Sequence, residues 1–216
     1  MTITIREPGS AITHYIAMML AILAATPLLI KAVWSGDKTV FAAMSIFICS
    51  MILLYGASAL YHSVNVSGKI LRIFRKFDHM MIFVLIAGTY TPVCLITLKG
   101  RLGYTLLAVI WGIAAFGILI KMLWITCPKW FSSLIYIAMG WTCIGVFGTL
   151  WNTLSLPAFL WLLAGGLIYT AGGIIYALKL PIFNSRFKYF GSHELFHLFV
   201  MGGSACHFIF MFLYLV

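Results

Sequence analysis

The chain has 216 residues, of which 63% are hydrophobic and only 8% are charged. This composition excludes an ordinary soluble domain and is typical of an integral membrane protein. In a soluble protein the formal net charge of +10 would point to nucleic acid, but in a membrane protein it indicates basic loops beside anionic lipid headgroups. We therefore expect one membrane domain over residues 1–216 in the plasma or inner membrane of the cell, with no nucleic-acid partner.

Seven apolar segments are each long enough to cross about 30 Å of hydrocarbon. They span approximately residues 12–34, 39–63, 78–98, 103–123, 131–151, 157–179 and 192–216. The sequence therefore predicts an all-α fold, a seven-helix transmembrane bundle, whose short connections make consecutive helices antiparallel neighbours. No short apolar stretch followed by a small-residue cleavage site begins the chain, so a removed signal peptide is not expected.

The lysine and arginine residues predict how the bundle is oriented, because cytoplasmic loops carry an excess of them. Of the 14, ten fall on the side of the N-terminus and four on the other side. The ten are Arg6, Lys69, Arg72, Arg75, Lys76, Lys121, Lys129, Lys179, Arg186 and Lys188, and the four are Lys31, Lys38, Lys99 and Arg101. The split predicts a cytoplasmic N-terminus and an outside C-terminus, the reverse of G-protein-coupled receptors.

Most of the other ionisable side chains lie at the segment ends that this orientation assigns to the cytoplasm. They are Glu7, His14, His62, Asp78, His79, His193, Glu194 and His197. His207 is the exception, because it follows His193 by 14 residues and so lies about 21 Å further along a helix. We interpret His207 as a core or outer-leaflet histidine that cannot share a site with the others.

Three histidines predict a metal site at this depth. His193 and His197 lie one helical turn apart on one face, so both imidazoles can reach one ion. His62 ends the second segment at the same level, and three histidines with one open position are a common catalytic zinc arrangement. The five cysteines lack the C-x-x-C spacing of zinc sites, and we interpret them as small core residues without disulfides.

A simpler interpretation exists for some of these residues, since polar groups collect at membrane boundaries because the centre is costly. For His14 and His79, taken alone, we expect an interfacial position without a role as ligands. The roles of Glu7 and Glu194 are left open, although Glu194 suits the first turn of a helix.

Several motifs in combination resemble the hemolysin III family, which belongs with the progestin and adipoQ receptors, including the adiponectin receptors. The similarity covers nearly the whole chain. It is carried by Ser58-Ala59-Leu60-Tyr61-His62-Ser63, Phe77-Asp78-His79, Ala87-Gly88-Thr89-Tyr90-Thr91-Pro92, and His193-Glu194-Leu195-Phe196-His197 followed by Gly203-Ser204-Ala205. The stretch from Arg6 to His14 resembles the family's opening motif, with Ser10 where the family usually has asparagine.

The resemblance implies a zinc ion near the cytoplasmic face, with His62, His193 and His197 as its ligands. It also implies that Asp78 holds the zinc-bound water and that Ser58 lies beside it. Receptor relatives are similar to membrane-embedded lipid amide hydrolases, with ceramide as a proposed substrate. The bacterial branch is named for haemolytic activity and is linked to membrane-lipid homeostasis.

Our first hypothesis is therefore a ceramidase-like zinc hydrolase of lipid amides or esters. Asp78 would act as general base and Ser58 would hydrogen-bond the water or the oxyanion, while a membrane lipid or fatty acyl ligand enters between helices. The alternatives are a lipid-sensing receptor or regulator with structural zinc, and a cytolytic haemolysin. A further alternative is a protease that uses Glu194 of the H-E-x-x-H motif, although the Asp-Gly ligand typical of intramembrane metalloproteases is absent. Protein partners and the oligomeric state are left open.

Overall fold

The computed structural model describes residues 5–178, 182 and 189–216. Within these residues, seven helices are long and apolar enough to cross a membrane, which confirms the predicted all-α bundle. We number them α1 (Pro8–Trp34), α2 (Lys38–Ser63), α3 (Gly68–Leu98), α4 (Gly100–Leu123), α5 (Lys129–Thr153), α6 (Leu156–Leu178) and α7 (Ser192–Leu215).

Two helices, α1 and α3, begin at least four residues earlier than the apolar segments predict. α1 begins at Pro8, because proline fits the first helical position, where its missing N–H has no partner to lose. α3 begins at Gly68 and has 31 residues, about 46 Å, which is longer than the hydrocarbon layer. Its first ten residues carry four basic side chains together with the exposed Ile70 and Ile73, so an apolar-run criterion overlooks them although they form a helix.

The packing differs from the predicted chain of neighbours at one place. α1 packs on α2, α2 on α3, and α6 on α7, as expected for consecutive antiparallel helices. α4 packs mainly on α3, whereas α5 packs on α6 and α3 and contacts α4 far less. α1 also contacts α7, and this contact brings the first and last helices together.

Small residues allow the helices to approach closely. A Cβ atom at Gly88 in α3 would overlap the side chain of Ser50 in α2, and one at Gly203 in α7 would lie 2.8 Å from the ring of Tyr169 in α6. Such close approach replaces the hydrophobic driving force that two helices lack inside lipid. These two glycines therefore allow close packing of α2 on α3 and of α6 on α7.

Irregular turns interrupt several helices, and side chains satisfy some of the freed backbone groups. α5 contains a 3₁₀ segment at Trp141–Val146. The hydroxyl of Tyr90 donates to the carbonyl of Gly140 at 2.6 Å and accepts the N–H of Cys143 at 2.9 Å. Near the C-terminal ends of α1 and α7, Lys31 Nζ donates to the carbonyl of Phe212 at 2.6 Å. A broken helix in a membrane requires such partners, because lipid offers none.

The cysteines only partly follow the prediction. All five are free, and Cys94 and Cys127 are buried in the core. The core interpretation is wrong for Cys49, which is exposed on the surface of α2. Hydropathy cannot distinguish the two sides of such a helix, because lipid is as apolar as the protein core.

We expect a reporter that is active only outside the cytoplasm to be active when fused after Val216, because of the asymmetric lysine and arginine distribution. A reporter active only in the cytoplasm should be silent there and active when inserted between α2 and α3. Three of the basic residues behind this prediction, Lys179, Arg186 and Lys188, lie outside the described residues. A cytoplasmic C-terminus would contradict the prediction.

Candidate metal centre

Three histidines from two helices bring their ring nitrogens together at one end of the bundle. His62 lies in the last turn of α2, and His193 and His197 lie in the first two turns of α7. Each offers one nitrogen, and these nitrogens all lie within 4.8 Å of one another. The arrangement matches the predicted ligand set, and His62 and His197 are almost completely buried, at 3% and 1% exposure.

The spacing of one pair of these nitrogens matches tetrahedral binding to zinc, and the whole group lies within 4.8 Å. The Nε2 atoms of His62 and His193 are 3.3 Å apart. Two nitrogens bound tetrahedrally to zinc at about 2.0–2.1 Å would lie about 3.4 Å apart. Neutral imidazoles are also a ligand type that zinc favours. In the described part of the chain, the residues present therefore fit the metal that the resemblance implies.

The outer nitrogens of two histidines have their own partners. His62 Nδ1 hydrogen-bonds the carboxylate of Glu7, and His197 Nδ1 lies 3.0 Å from Thr13 Oγ1. The hydrogen bond with His62 is the largest cause that lowers the pKa of Glu7 to about 2, and the charges of His62 and Arg6 add to it against the effect of partial burial. Such outer partners fix the orientation of metal-binding imidazoles.

Asp78 and Ser58 lie on the wall of the cavity beside the histidines. Both side chains are buried, and both line the same cavity as His193 and His197. Asp78 Oδ2 lies 2.8 Å from His79 Nδ1. Among the described residues, the carboxylate does not belong to the group of closely spaced ligand atoms. Their catalytic roles remain predictions.

The cavity extends from this cluster into the apolar interior of the bundle. Its walls are largely aliphatic and aromatic, with contributions from α3, α5, α6 and α7. His207 lines the cavity far from the cluster, where its Nε2–H donates to the carbonyl of Leu162 at 3.2 Å. His207 is therefore a buried histidine apart from the ligand group, as predicted.

His14 has a different position from the one predicted. Its side chain is only 3% exposed, and its ring stacks on that of His197 with 3.6 Å between centroids. The rings of Tyr55 in α2 and His197 in α7 cover His14, a burial that the interfacial interpretation did not foresee, and His14 stays outside the group of ligand nitrogens found in the described residues. Glu7, Ser10 and His14 recur at helical spacing, and this polar stripe on an otherwise apolar segment is the signal that could have identified the face.

Glu194 is occupied by structural contacts. Its Oε2 accepts the N–H of Gly191 at 2.9 Å, and its Oε1 accepts a hydrogen bond from Ser10 Oγ. This confirms the expected place in the first turn of a helix. Both carboxylate oxygens of Glu194 are thus engaged by α1 and by the helix start, which disfavours the protease interpretation, in which Glu194 would act as the base.

The chain is similar to known proteins over almost its whole length. The family described as Haemolysin-III related matches residues 3–208. Hemolysin-3 of Bacillus cereus is 40% identical over 210 residues, which cover 97% of this chain and 92% of that protein. The Hemolysin-3 homolog of Bacillus subtilis is 39% identical and the match covers 99% and 96% of the two chains. The ADIPOR-like receptor IZH2 of Saccharomyces cerevisiae is 35% identical over 79 residues, which are 35% of this chain and 24% of the yeast protein.

Proposed function

The chain belongs to the haemolysin-III related family of multi-pass membrane proteins, and on this premise we propose that it is a zinc-dependent hydrolase of lipid amide or ester bonds. One observation carries the proposal. Three histidine nitrogens lie within 4.8 Å of one another, and two of these histidines, His193 and His197, share a cavity wall with the buried carboxylate of Asp78 and the buried hydroxyl of Ser58. A purely structural zinc site is normally closed by four protein ligands, whereas the group found in the described residues contains three.

The side chains divide the chemistry among them. His62, His193 and His197 would hold the ion, which when bound polarises a carbonyl and lowers the pKa of water toward neutrality. The carboxylate of Asp78 takes the proton of the attacking water, and His79 at 2.8 Å holds that carboxylate in place. The hydroxyl of Ser58 donates a hydrogen bond to the carbonyl oxygen as negative charge develops there.

The apolar cavity explains why a lipid is the proposed substrate. Its aliphatic and aromatic walls, which include Ile82, Leu85 and Phe196, suit a fatty acyl chain. These walls also exclude bulk water, which strengthens the electrostatic contacts at the polar end. The acyl chain would lie along the cavity, with its carbonyl group at the histidines.

A second candidate is a lipid-sensing receptor or regulator in which zinc is structural. It is favoured by the similarity to the yeast protein named an ADIPOR-like receptor, which covers only part of the chain. The haemolytic activity in the names of the Bacillus relatives belongs to those proteins. Seven apolar helices within the described residues argue against a secreted soluble toxin here.

The proposal predicts that removal of the metal abolishes lipid hydrolysis. The purified protein is reconstituted into liposomes that contain a ceramide as lipid amide or a diacyl phospholipid as ester, and released fatty acid is measured by mass spectrometry. We expect release to stop on treatment with a chelator and to return with zinc but not with magnesium, because imidazole ligands favour zinc.

Circular dichroism before and after chelation is the control, since it shows that the helices persist in the metal-free protein. Unchanged release after the metal has been removed would overturn the hydrolase proposal. No release from a sample that contains zinc would favour the receptor candidate.

A further inference from the structure

The first helix offers no ligand to the histidine group, yet it contacts both helices that do. Just before α1 begins, the N–H of Glu7 donates to the carbonyl of His62 at 3.0 Å. The N–H of Arg6 donates to the carbonyl of Ser63 at 3.5 Å. These backbone bonds attach the start of α1 to the end of α2. They leave the side chain of Glu7 directly beside the ring of His62.

Glu7 fixes which nitrogen of His62 faces the cluster. A carboxylate can only accept, so the His62 Nδ1–H donates to Glu7 Oε2. In a neutral imidazole the other nitrogen, Nε2, then carries the free lone pair. That nitrogen is the one 3.3 Å from His193 Nε2. The same residue therefore holds His62 through its backbone and through its side chain.

Thr13 fixes His197 in the same way. The Thr13 hydroxyl lies 2.9 Å from the carbonyl of Ser10 and 3.1 Å from that of Gly9, and both oxygens can only accept its single hydrogen. The hydroxyl oxygen is thus left to accept the Nδ1–H of His197, at 3.0 Å. His197 Nε2 is consequently also free to bind a metal.

Two further contacts hold α7 against the same turn of α1. The Ser10 hydroxyl donates to Glu194 Oε1, between the two histidines of α7 in sequence. The ring of His14 stacks on that of His197 at an interplanar angle of 12°. Four side chains at helical spacing, Glu7, Ser10, Thr13 and His14, therefore meet both helices that carry the ligands.

We propose that residues 6–14 form an N-terminal clamp that positions the metal ligands, with Glu7 orienting His62 and Thr13 orienting His197. These two are positioning residues, since neither belongs to the ligand group. The inference rests on the metal centre of the proposed function and not on hydrolysis. Removing an outer partner of a metal ligand typically costs about 10–100-fold in metal affinity.

The test measures zinc affinity by competition with a chromophoric chelator, on the full-length protein in detergent. Glu7→Ala removes the acceptor of the His62 Nδ1–H, and Thr13→Val keeps the shape and removes the hydroxyl. Both should raise the Kd for zinc by about 10–100-fold. The Glu7 side chain is 47% exposed, so its substitution leaves no cavity in the core.

Asp37→Ala is the matched control for Glu7→Ala. Asp37 is likewise an exposed carboxylate beside a helix start, where it accepts the N–H of Thr39, but it lies at the opposite end of α1. This control should leave the Kd for zinc unchanged. An unchanged Kd in Glu7→Ala or in Thr13→Val would overturn the clamp.

Thermal unfolding with and without zinc separates positioning from general stability. A clamp residue should reduce the rise in Tm that zinc produces and leave the Tm of the metal-free protein near that of the wild type. A lower metal-free Tm with an unaltered zinc-dependent rise would overturn the inference. If the wild-type protein hydrolyses no lipid, the proposed function is contradicted, but the zinc-affinity measurements still test the clamp.

Discussion

Replacing His197 with alanine is expected to reduce the metal content from about one zinc per chain to background, because only two of the three ligands remain. His197 is 1% exposed and is held by contacts with Thr13 and His14, so its replacement removes a ligand whose position α1 fixes. The Tm should also fall, since the free energy of binding a structural or catalytic metal adds to that of folding. Elemental analysis of the purified protein and thermal unfolding measure the two effects.

His207→Ala is the matched control for this substitution. His207 is on the same helix and is also buried, but it lies ten residues further, about 15 Å along the axis. Its replacement loses the contact with Gly165 and the hydrogen bond to Leu162, so it should lower the Tm while the zinc remains. Equal metal loss in both variants would contradict the assignment of the ligands.

Asp78→Asn is expected to retain the zinc and to lower the turnover of a lipid amide by on the order of 10²-fold or more, the usual scale for a general base. Asparagine preserves the shape of the buried side chain but cannot take a proton from water. The zinc content and the rate of fatty acid release are measured on the same liposome sample. Loss of zinc from this variant would show that Asp78 is a ligand and would contradict its role as a base.

Glu194→Gln is the control for the loss of a carboxylate near the metal. Glutamine keeps an oxygen that can accept from Ser10 or from the N–H of Gly191, so the helix start is preserved. We expect turnover to remain within a few-fold of the wild type. A large loss in Glu194→Gln together with an active Asp78→Asn would instead support the H-E-x-x-H interpretation, in which Glu194 is the base.

The sequence predicted the bundle and the histidine group for the same reason. Apolar segments long enough to cross the hydrocarbon layer are recognisable from hydropathy alone. The histidines stand out in them because ionisable groups are costly to place in such segments. The spacing of His193 and His197 fixed two ligands on one helix face. Placing His62 with them required only that consecutive helices alternate in direction.

What the sequence could not predict is the face that each helix turns inward. Cys49 is exposed and His14 is buried, although both lie in apolar segments, because lipid and protein interior are equally apolar. The partners of the ligands were missed for a second reason. Glu7 and His62 are 55 residues apart, and Thr13 and His197 are 184 apart, so no local pattern connects them.

The contacts between α1 and α7 also determine when the centre can form during biosynthesis. α1 meets α7 at both ends, through Thr13 and His197 at one and through Lys31 and Phe212 at the other. The helix that leaves the ribosome first therefore waits for the one that leaves last. Two of the three histidines arrive only with α7, so a nascent chain that stops before α7 lacks a complete centre, and any metal loading would follow the synthesis of that helix. Until then, Ser10, Thr13 and His14 of α1 lie without their partners on α7.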